Sequence, residues 1–140
     1  MMFHIRRLTL FVFCLATLGM NNACMDQDSL GLLRRQLPGA CFLEAREGDY
    51  YYFEFGNNKA VLVSRFGWND HYLVGKIDHR SDSDNSPEIG KDYIVFRRSD
   101  RTMAFLSSSQ YAQNADVELI SLEPASGVWA KLPRGPARQG

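Results

Sequence analysis

Short apolar runs recur along the chain after residue 40, separated by polar and glycine-rich stretches, and this pattern predicts β-strands. The clearest run is Tyr50–Phe55, whose aromatic side chains suit a pleated surface. Gly56–Lys59 follows it with the composition of a hairpin turn. The other predicted strands are Cys41–Arg46, Ala60–Phe66, His71–Ile77, Asp92–Arg97, Thr102–Ser107, Asp116–Leu122 and Gly127–Leu132.

The spacing of these strands predicts an all-β fold. About eight short strands joined by short turns are typical of a small antiparallel barrel or sandwich, and sequential hairpins favour a meander. Asp78–Lys91 is the longest predicted loop, and Ser108–Ala115 is another. We therefore assign residues 40–132 to one β-rich domain. Residues 133–140 offer little apolar surface to bury, so we expect them to form a flexible tail.

One short N-terminal helix is predicted ahead of the strands. Over Asp26–Leu37, three leucines recur at helical spacing. Two arginines occupy its last turn, where positive charge suits the helix dipole, and Pro38–Gly39 ends it. Residues 24–39 are thus expected to form a helix and a connector, with the apolar side of the helix packed on the sheet.

The first 23 residues have the three-part order of a secretory signal. A short basic segment precedes the apolar run Leu8–Leu18, and small or polar residues follow as far as Ala23. The run of about eleven residues is too short for a membrane-spanning helix, which needs roughly 20. We therefore predict that residues 1–23 are a signal peptide, cut after Ala23 or after Gly19, and that the mature protein is periplasmic or secreted.

Two cysteines remain once the signal is removed, Cys24 and Cys41. In an oxidising compartment they are natural disulfide partners. Closing a loop of about seventeen residues stabilises a fold by roughly 3 kcal/mol in the chain-entropy treatment. A competing hypothesis attaches a lipid to Cys24, because a cysteine directly after such a segment resembles a bacterial lipoprotein signal, although Asn21 stands where that pattern has an aliphatic residue. The protein would then be a membrane-anchored lipoprotein.

Charge argues against a nucleic-acid partner. The whole chain has 16 Lys plus Arg against 16 Asp plus Glu, and the signal removes two arginines, so the mature chain is slightly acidic. Nucleic-acid binders usually carry a basic stripe, and none is evident. The densest basic cluster, Arg97, Arg98 and Arg101, is split by Asp100. Solvated strand ends explain this cluster better than an anion site does.

Aromatic residues on both faces of the Tyr50–Phe55 strand indicate a candidate binding surface. Alternation leaves Tyr50 and Tyr52 on the face where a half-buried strand usually carries polar residues. Trp68 follows in a loop, and Trp129 lies on the last predicted strand. Tyrosine and tryptophan combine apolar area with a polar tip and are favoured at protein interfaces. We predict a recognition patch of these four residues; the alternative is a second core layer.

No motif in the sequence commits to a reaction. The acidic segment Asp70–Glu88, with His71 and His79, alternates oxygen donors as calcium loops do, but lacks the glycine and distal glutamate of an EF-hand loop. Ser107–Ser109 has no G-x-S-x-G context for a nucleophile, and Cys41 is assigned to a disulfide. We expect no catalytic residue, metal or cofactor; a metal-dependent enzyme using the acidic segment is an alternative.

Together these features predict an exported, non-enzymatic binding protein of the bacterial cell envelope, of inhibitor or immunity type. Its expected partner is another envelope or secreted protein, with membrane contact only through a lipid on Cys24. An alternative is a small-ligand carrier, because an eight-stranded barrel can hold one ligand in its lumen. Such a protein would resemble a lipocalin in architecture, although Gly39–Phe42 stands where lipocalins have a glycine–tryptophan signature.

Overall fold

The structure is a computed structural model that describes residues 33–56, 59–80 and 89–136. The predicted signal peptide, Cys24, most of the predicted N-terminal helix and residues 81–88 lie outside these ranges. Neither helix within them is long and apolar enough to cross a membrane. The elements are β1 (Arg34–Leu37), β2 (Cys41–Arg46), β3 (Tyr50–Gly56), β4 (Lys59–Trp68), β5 (Tyr72–Ile77), β6 (Tyr93–Arg97), β7 (Met103–Leu106), α1 (Ser108–Ala112), β8 (Glu123–Pro124) and α2 (Ala125–Lys131).

Seven strands form one antiparallel meander in the order β1-β2-β3-β4-β5-β6-β7, and the short β8 pairs with β4. Each strand of the meander pairs with its neighbours in sequence, as short hairpin connections require. The prediction of a mostly antiparallel β fold of about eight strands is confirmed. Because β1 and β7 do not pair with each other, the sheet is open, and barrel or sandwich describes it only loosely.

The ten-residue strand β4 is where the sheet turns on itself. Its first half pairs with β3, its second half pairs with β5, and the register shifts between Val63 and Arg65. Such a bulge bends a strand and increases its twist. A Cβ on Gly75 of β5 would lie 2.6 Å from Cγ1 of Val63, so only glycine fits at this bend. The curled sheet brings the Phe96 ring of β6 within 6.1 Å of the Phe53 ring of β3.

The concave side of the curled sheet holds the main core. Phe53, Phe66 and Phe96 fill its centre, with 5.0 Å between the ring centroids of Phe53 and Phe66. All three side chains are almost inaccessible to solvent. Buried aromatic side chains of this size dominate the energetics of a small core, so the concave side is where most of the apolar burial of the described fold occurs.

The predicted strand over Gly127–Leu132 is wrong, because helix α2 occupies this part of the chain. Ala125 and Val128 are buried in the main core, and Trp129 packs against it. Their spacing of three and four residues is that of one helix face. Valine and tryptophan favour strands locally, whereas the open side of the main core selects the helix that covers it.

A second, smaller core lies on the opposite side of β5 and β6. Val74 and Val95 of these strands pack against Val117 and Ile120. The latter two belong to the predicted strand Asp116–Leu122, which is wrong, since the chain there forms turns in which Ile120 N–H donates to Val117 O at 3.0 Å. A spacing of three residues places both side chains on the side of the turns that covers the sheet.

Helix α1 lies within the predicted loop Ser108–Ala115. It begins with a capping box, in which Gln110 N–H donates to the Ser107 hydroxyl at 3.2 Å and Ser107 N–H donates to the Gln110 side chain at 2.9 Å. The Tyr111 ring stacks on Tyr93 of β6 with 3.9 Å between centroids. This stacking attaches α1 to the smaller core.

The predicted helix over Asp26–Leu37 is wrong at its C-terminal end, where Arg34–Leu37 forms β1. β1 pairs with β2 across the Pro38–Ala40 turn, and Leu37 is buried in the main core. Pairing with β2 provides hydrogen-bond partners for the backbone N–H and C=O groups of β1. The spacing of the leucines alone does not show that this strand partner exists. The earlier residues of that predicted helix lie outside the described ranges.

The chain after α2 returns to β1. Gln36 N–H donates to Pro133 O at 2.9 Å, and Gly135 N–H donates to Arg34 O at 2.7 Å. The first residues of the segment predicted as a flexible tail are therefore hydrogen-bonded to the sheet, whereas residues 137–140 lie outside the described ranges. The C-terminal segment covers the outer edge of β1.

Candidate functional site

A groove opens beside Trp68, the last residue of β4. Trp68 is 37% exposed, and its ring centroid lies 6.3 Å from that of Phe66 in the main core. The groove has a volume of about 330 Å³ and lies between the end of β4, the segment leading into β8, and α2. Phe66, Trp68, Val128 and Leu132 contribute its apolar lining, and Glu123 and Lys131 its charged rim. We call this the Trp68 groove.

Close backbone packing shapes one wall of the Trp68 groove. A Cβ on Gly67 would lie 2.2 Å from the carbonyl oxygen of Ser121, so only glycine lets the segment before β8 approach β4 so closely. The Arg65 guanidinium donates from Nε to Leu122 O at 3.1 Å and holds the same segment. Since β5 pairs with β4 along its other edge, Trp68 is carried on a strand held from both sides.

The Trp68 groove is apolar at its floor and charged at its rim. Phe66 and Val128 at the floor are buried. Lys131, in the last turn of α2, pairs with Glu123 of β8 at 3.0 Å between Nζ and Oε2, and both side chains are exposed. An exposed ion pair contributes little to stability, so both charges remain available to a partner. Tryptophan over an apolar floor with a polar rim is typical of protein interfaces.

The structure does not gather the predicted binding residues into one patch. Tyr50 and Tyr52 lie on the convex face of β3, opposite the main core. The guanidinium of Arg80 lies 5.0 Å from the Tyr50 ring centroid, and that of Arg46 lies 4.1 Å from the Tyr52 ring centroid. Trp68, in contrast, lies on the same side of β4 as the core residue Phe66 beside it. The two tyrosines and Trp68 are therefore on opposite faces of the sheet.

Trp129, the fourth predicted binding residue, lies on α2 and is half-buried. Its indole Nε1–H donates to Leu33 O at 2.9 Å, and the Arg35 guanidinium lies 4.4 Å from its ring centroid. The Tyr51 ring lies 6.3 Å away. These contacts tie α2 to the N-terminal strands, so Trp129 holds the fold together and offers less free surface than Trp68.

A buried pair of carboxyl groups that was not predicted from the sequence lies beside Tyr52. Glu44 of β2 is 3% exposed and Glu54 of β3 is 8% exposed. Arg46 Nε lies 3.1 Å from Glu44 Oε1, and Arg34 Nη2 lies 3.1 Å from Glu54 Oε2. Burial, followed by the hydrogen bond with Glu54, raises the pKa of Glu44 to about 7. The available signal was a glutamate between two apolar residues on each of two consecutive predicted strands, in Leu43-Glu44-Ala45 and in Phe53-Glu54-Phe55.

Asp92 brings a histidine and a serine together, but not in the order of a hydrolase. Its Oδ1 lies 3.2 Å from His79 Nε2, and its Oδ2 accepts from the Ser108 hydroxyl at 2.8 Å. Both contacts, that of Ser108 first, lower the pKa of Asp92. A nucleophilic serine needs the histidine between itself and the carboxylate, whereas here the carboxylate is in the middle. The group anchors α1 and activates no nucleophile.

The described part of the acidic segment Asp70–Glu88 shows no assembled metal site. Arg80 donates from Nε to both carboxylate oxygens of Asp78, at 2.9 and 2.8 Å, and this hydrogen bonding lowers the pKa of Asp78. Asp70 is exposed in the turn after β4. No group of three or more metal-ligating side chains occurs in the described ranges, and residues 81–88 lie outside them. A metal-dependent function of this segment stays a prediction.

Cys41 is fully buried at the start of β2 and belongs to the main core. Its Sγ lies 3.7 Å from Gly39 O, and burial raises the pKa of the thiol. A thiol with a raised pKa is a weak nucleophile. Cys24 lies outside the described residues, so the Cys24–Cys41 disulfide and the lipid on Cys24 both stay predictions.

Side chains fill the interior of the curled sheet in the described ranges. The rings of Phe53, Phe66 and Phe96 occupy the space that a ligand would need in a lipocalin-like barrel. Such a ligand would have to displace rings that are packed against one another. The small-ligand alternative therefore requires a site outside this interior.

The Trp68 groove is the described site best suited to hold a partner or ligand. It combines open volume, an exposed aromatic ring and a charged rim. Each of the other three predicted binding residues, Tyr50, Tyr52 and Trp129, has an arginine guanidinium over its ring. Comparison with known proteins finds no matching family model, no matching curated protein and no matching solved structure, so function is inferred from this chemistry alone.

Proposed function

We propose that the protein is an exported, non-enzymatic binding protein of the bacterial cell envelope, and that it docks another envelope or secreted protein at the Trp68 groove. The observation that carries the proposal is the exposed Trp68 ring beside an apolar groove of about 330 Å³ with a charged rim. The signal-like residues 1–23 support export. An inhibitor or immunity role, in which binding itself is the function, fits a site of this kind.

The size of the Trp68 groove limits what it can accept. Ligand pockets usually measure roughly 300–1,000 Å³, so a groove of this volume is at the small end of that range. It suits one large apolar side chain presented by a partner protein. Tryptophan is among the residues that dominate binding free energy when a partner excludes water from them. Trp68 is therefore expected to be the main energetic contact.

The charges at the rim define the chemistry of the partner. Lys131 and Glu123 lie side by side and are exposed. A partner that inserts an apolar side chain and flanks it with an acidic and a basic group would replace their mutual contact with two intermolecular ones. Rim charges act mostly on the association rate and its salt dependence, so binding is expected to be faster at low ionic strength.

Affinity capture from an envelope extract of the source cells, followed by titration with the purified partner, tests the proposal. Trp68→Ala should weaken binding by about 30-fold or more, the effect of losing a contact worth at least about 2 kcal/mol. Leu119→Ala is the matched control, since Leu119 is 87% exposed and lies outside the groove. Its affinity should stay within about twofold of the unchanged chain. Equal binding by both variants would refute the assignment of the groove.

A small apolar ligand is the second candidate for the same groove, because the groove volume lies within the range of small-ligand pockets. Mass spectrometry of the denatured, natively purified protein separates the two candidates. A stoichiometric small molecule that is lost from Trp68→Ala would favour the carrier. Its absence, together with a captured protein partner, would favour the docking function.

Cell fractionation and intact mass test the export part of the proposal. We expect a mature chain outside the cytoplasm that begins near Cys24. A Cys24–Cys41 disulfide makes the chain two hydrogens lighter, whereas a lipid on Cys24 adds acyl mass and moves the protein to the membrane fraction. An unprocessed chain in the cytosol with both thiols reduced would contradict export.

A further inference from the structure

We propose that β7 pairs with β7 of a second copy of this chain, making a two-fold symmetric dimer through antiparallel edge strands. β7 pairs with β6 on one side and with no described strand on the other. An unpaired edge presents a row of free backbone N–H and C=O groups to any strand that can approach. This surface is separate from the Trp68 groove, so the dimer does not rest on the function proposed above.

β7 is short, but it lacks the charge, proline and bulge that often protect an edge strand. Its four residues include no charge and no proline, and its register with β6 is uninterrupted. Met103 is 36% exposed, and Ala104 is exposed as well. An open groove of about 330 Å³ lies over the face of β5, β6 and β7 that carries Val95 and Ala104. That face of β7 is therefore uncovered next to the free edge.

The hydrogen-bond pattern shows which residues of β7 face outward. Arg97 N–H donates to Thr102 O at 2.8 Å, and these two residues continue the register of β6 and β7. Opposite residues in antiparallel strands alternate between pairs that exchange hydrogen bonds and pairs that do not. The backbone N–H and C=O of Ala104 thus point toward β6, whereas those of Met103 and Phe105 point toward the free edge.

A two-fold axis at Ala104 uses these outward groups. It places Met103 opposite Phe105 of the second copy, and Phe105 opposite Met103 of the second copy, so that both pairs exchange backbone hydrogen bonds. Ala104 then faces Ala104 of the second copy in the intervening pair, with Cα atoms about 4.5 Å apart. This register also keeps the concave faces of both sheets on the same side.

The side chains of β7 are self-complementary in this register. Each Met103 thioether contacts a Phe105 ring of the other copy, a favourable sulfur–aromatic contact that occurs twice. The small Ala104 lies at the centre, where the two strands come closest. Arg101 lies opposite Ser107 of the second copy, so no like charges face each other across the pair.

The short length of β7 sets the strength of the dimer. In this register three residues of β7 in each copy, Met103, Ala104 and Phe105, pair with one another. Interfaces smaller than about 1,200 Å² are typical of weak, transient association. We therefore expect a dimer that depends on protein concentration and is detected most directly by covalent trapping.

Disulfide trapping of the full mature chain tests the register. Ala104→Cys places two thiols within disulfide distance across the axis, because Cα separations of about 4.4–6.8 Å can be bridged. Thr102→Cys is the matched control, since the two substituted positions would be roughly 13 Å apart in the dimer. Under mild oxidation the Ala104→Cys chain should form at least about tenfold more covalent dimer than the Thr102→Cys chain. The unsubstituted chain is oxidised under the same conditions, so that any covalent dimer formed through its native cysteines is measured separately.

Sedimentation of the unlinked protein gives a second measurement. Met103→Pro removes an outward N–H and leaves the bonds to β6 in place, so it should raise the dimer dissociation constant at least about tenfold without unfolding the chain. Trp68→Ala should leave the dimer unchanged, which keeps this test distinct from that of the groove. Equal trapping at positions 102 and 104, or a chain that stays monomeric at every concentration, would overturn the proposal.

Discussion

The two outer strands of the meander, β1 and β7, are both edges, yet the described part of the chain covers β1 and leaves β7 open. The segment after α2 hydrogen-bonds to β1, and Arg134 forms a β-bridge with Arg35. Within the described ranges no equivalent segment covers β7. An edge is an aggregation risk at either end of a sheet. Because the C-terminal segment covers β1, β7 is the described edge at which the proposed pairing between copies would occur.

The side chains of the two edges follow the same division. Leu37 of β1 is buried in the main core, Arg34 pairs with Glu54, and Arg35 lies over the Trp129 ring. In β7, Met103 and Ala104 are exposed, whereas Phe105 and Leu106 are partly buried and pack at the margins of the two cores. The difference indicates that β1 contributes more to the stability of the fold than β7, and that the first half of β7 is the part exposed to a partner strand.

The largest expected effect is on the covered edge. Leu37→Ala should lower the free energy of unfolding by about 2–5 kcal/mol, because it leaves a cavity in the main core. Met103→Ala, the matched change on the open edge, should cost less than about 1 kcal/mol. Urea denaturation of both variants measures the two values. Similar losses would mean that the two edges contribute equally to stability.

The buried glutamate Glu44 of β2, which lies opposite Arg34 of the covered strand β1, should make the free energy of unfolding depend on pH. Glu44 binds its proton more tightly when folded, with a pKa raised from 4.5 to about 7. The folded chain therefore holds more protons than the unfolded chain between these values, and the free energy of unfolding falls as pH rises from about 4.5 to 7, by up to roughly 3 kcal/mol. Denaturation across this range should show the slope, and Glu44→Gln should remove it.

Glu47→Gln is the control for this pH dependence, because Glu47 is exposed in the turn between β2 and β3. Its slope should match that of the unchanged chain. If the free energy of unfolding of Glu44→Gln still falls as pH rises, another group titrates. The buried carboxyl pair would then not account for the pH dependence of stability.

Removing the C-terminal cover should have a smaller effect. A chain ending at Leu132 lacks the two backbone hydrogen bonds that Pro133 and Gly135 make to β1. At roughly 0.5–1.5 kcal/mol for each bond, stability should fall by about 1–3 kcal/mol. The uncovered β1 edge should also increase self-association, seen by light scattering. A chain ending at Pro136 keeps both bonds and should match the full chain; if both truncations match it, the cover is dispensable.

The smallest effect on stability, with the clearest effect on association, is expected at the open edge. Met103→Lys introduces the charge that natural edges commonly carry. The free energy of unfolding should change by no more than about 0.5 kcal/mol, because Met103 is exposed. The concentration-dependent dimer should be lost in sedimentation runs. A dimer of unchanged strength would place the contact elsewhere on the molecule.

The central strands were predictable because their signals are local. The predicted strand Cys41–Arg46 coincides with β2, and predicted Tyr50–Phe55 is β3 without its last residue. Trp68 was also identified from its residue type and now borders the groove. The charged rim of that groove was not predictable, since Glu123 and Lys131 meet only when β8 and α2 pack on β4.

By itself, the sequence determined the strands from β2 to β7, because strand-forming side chains and turn residues alternate there over short distances. It also supplies the expectation of export. The tertiary structure alone decided that Val117 and Ile120 lie on turns, that Val128 lies on a helix and that Leu37 lies on a strand. Apolar residues three apart suit several backbone conformations locally. The selected conformation is the one that buries them against the surface left open by the curled sheet, and that surface is absent from the local sequence.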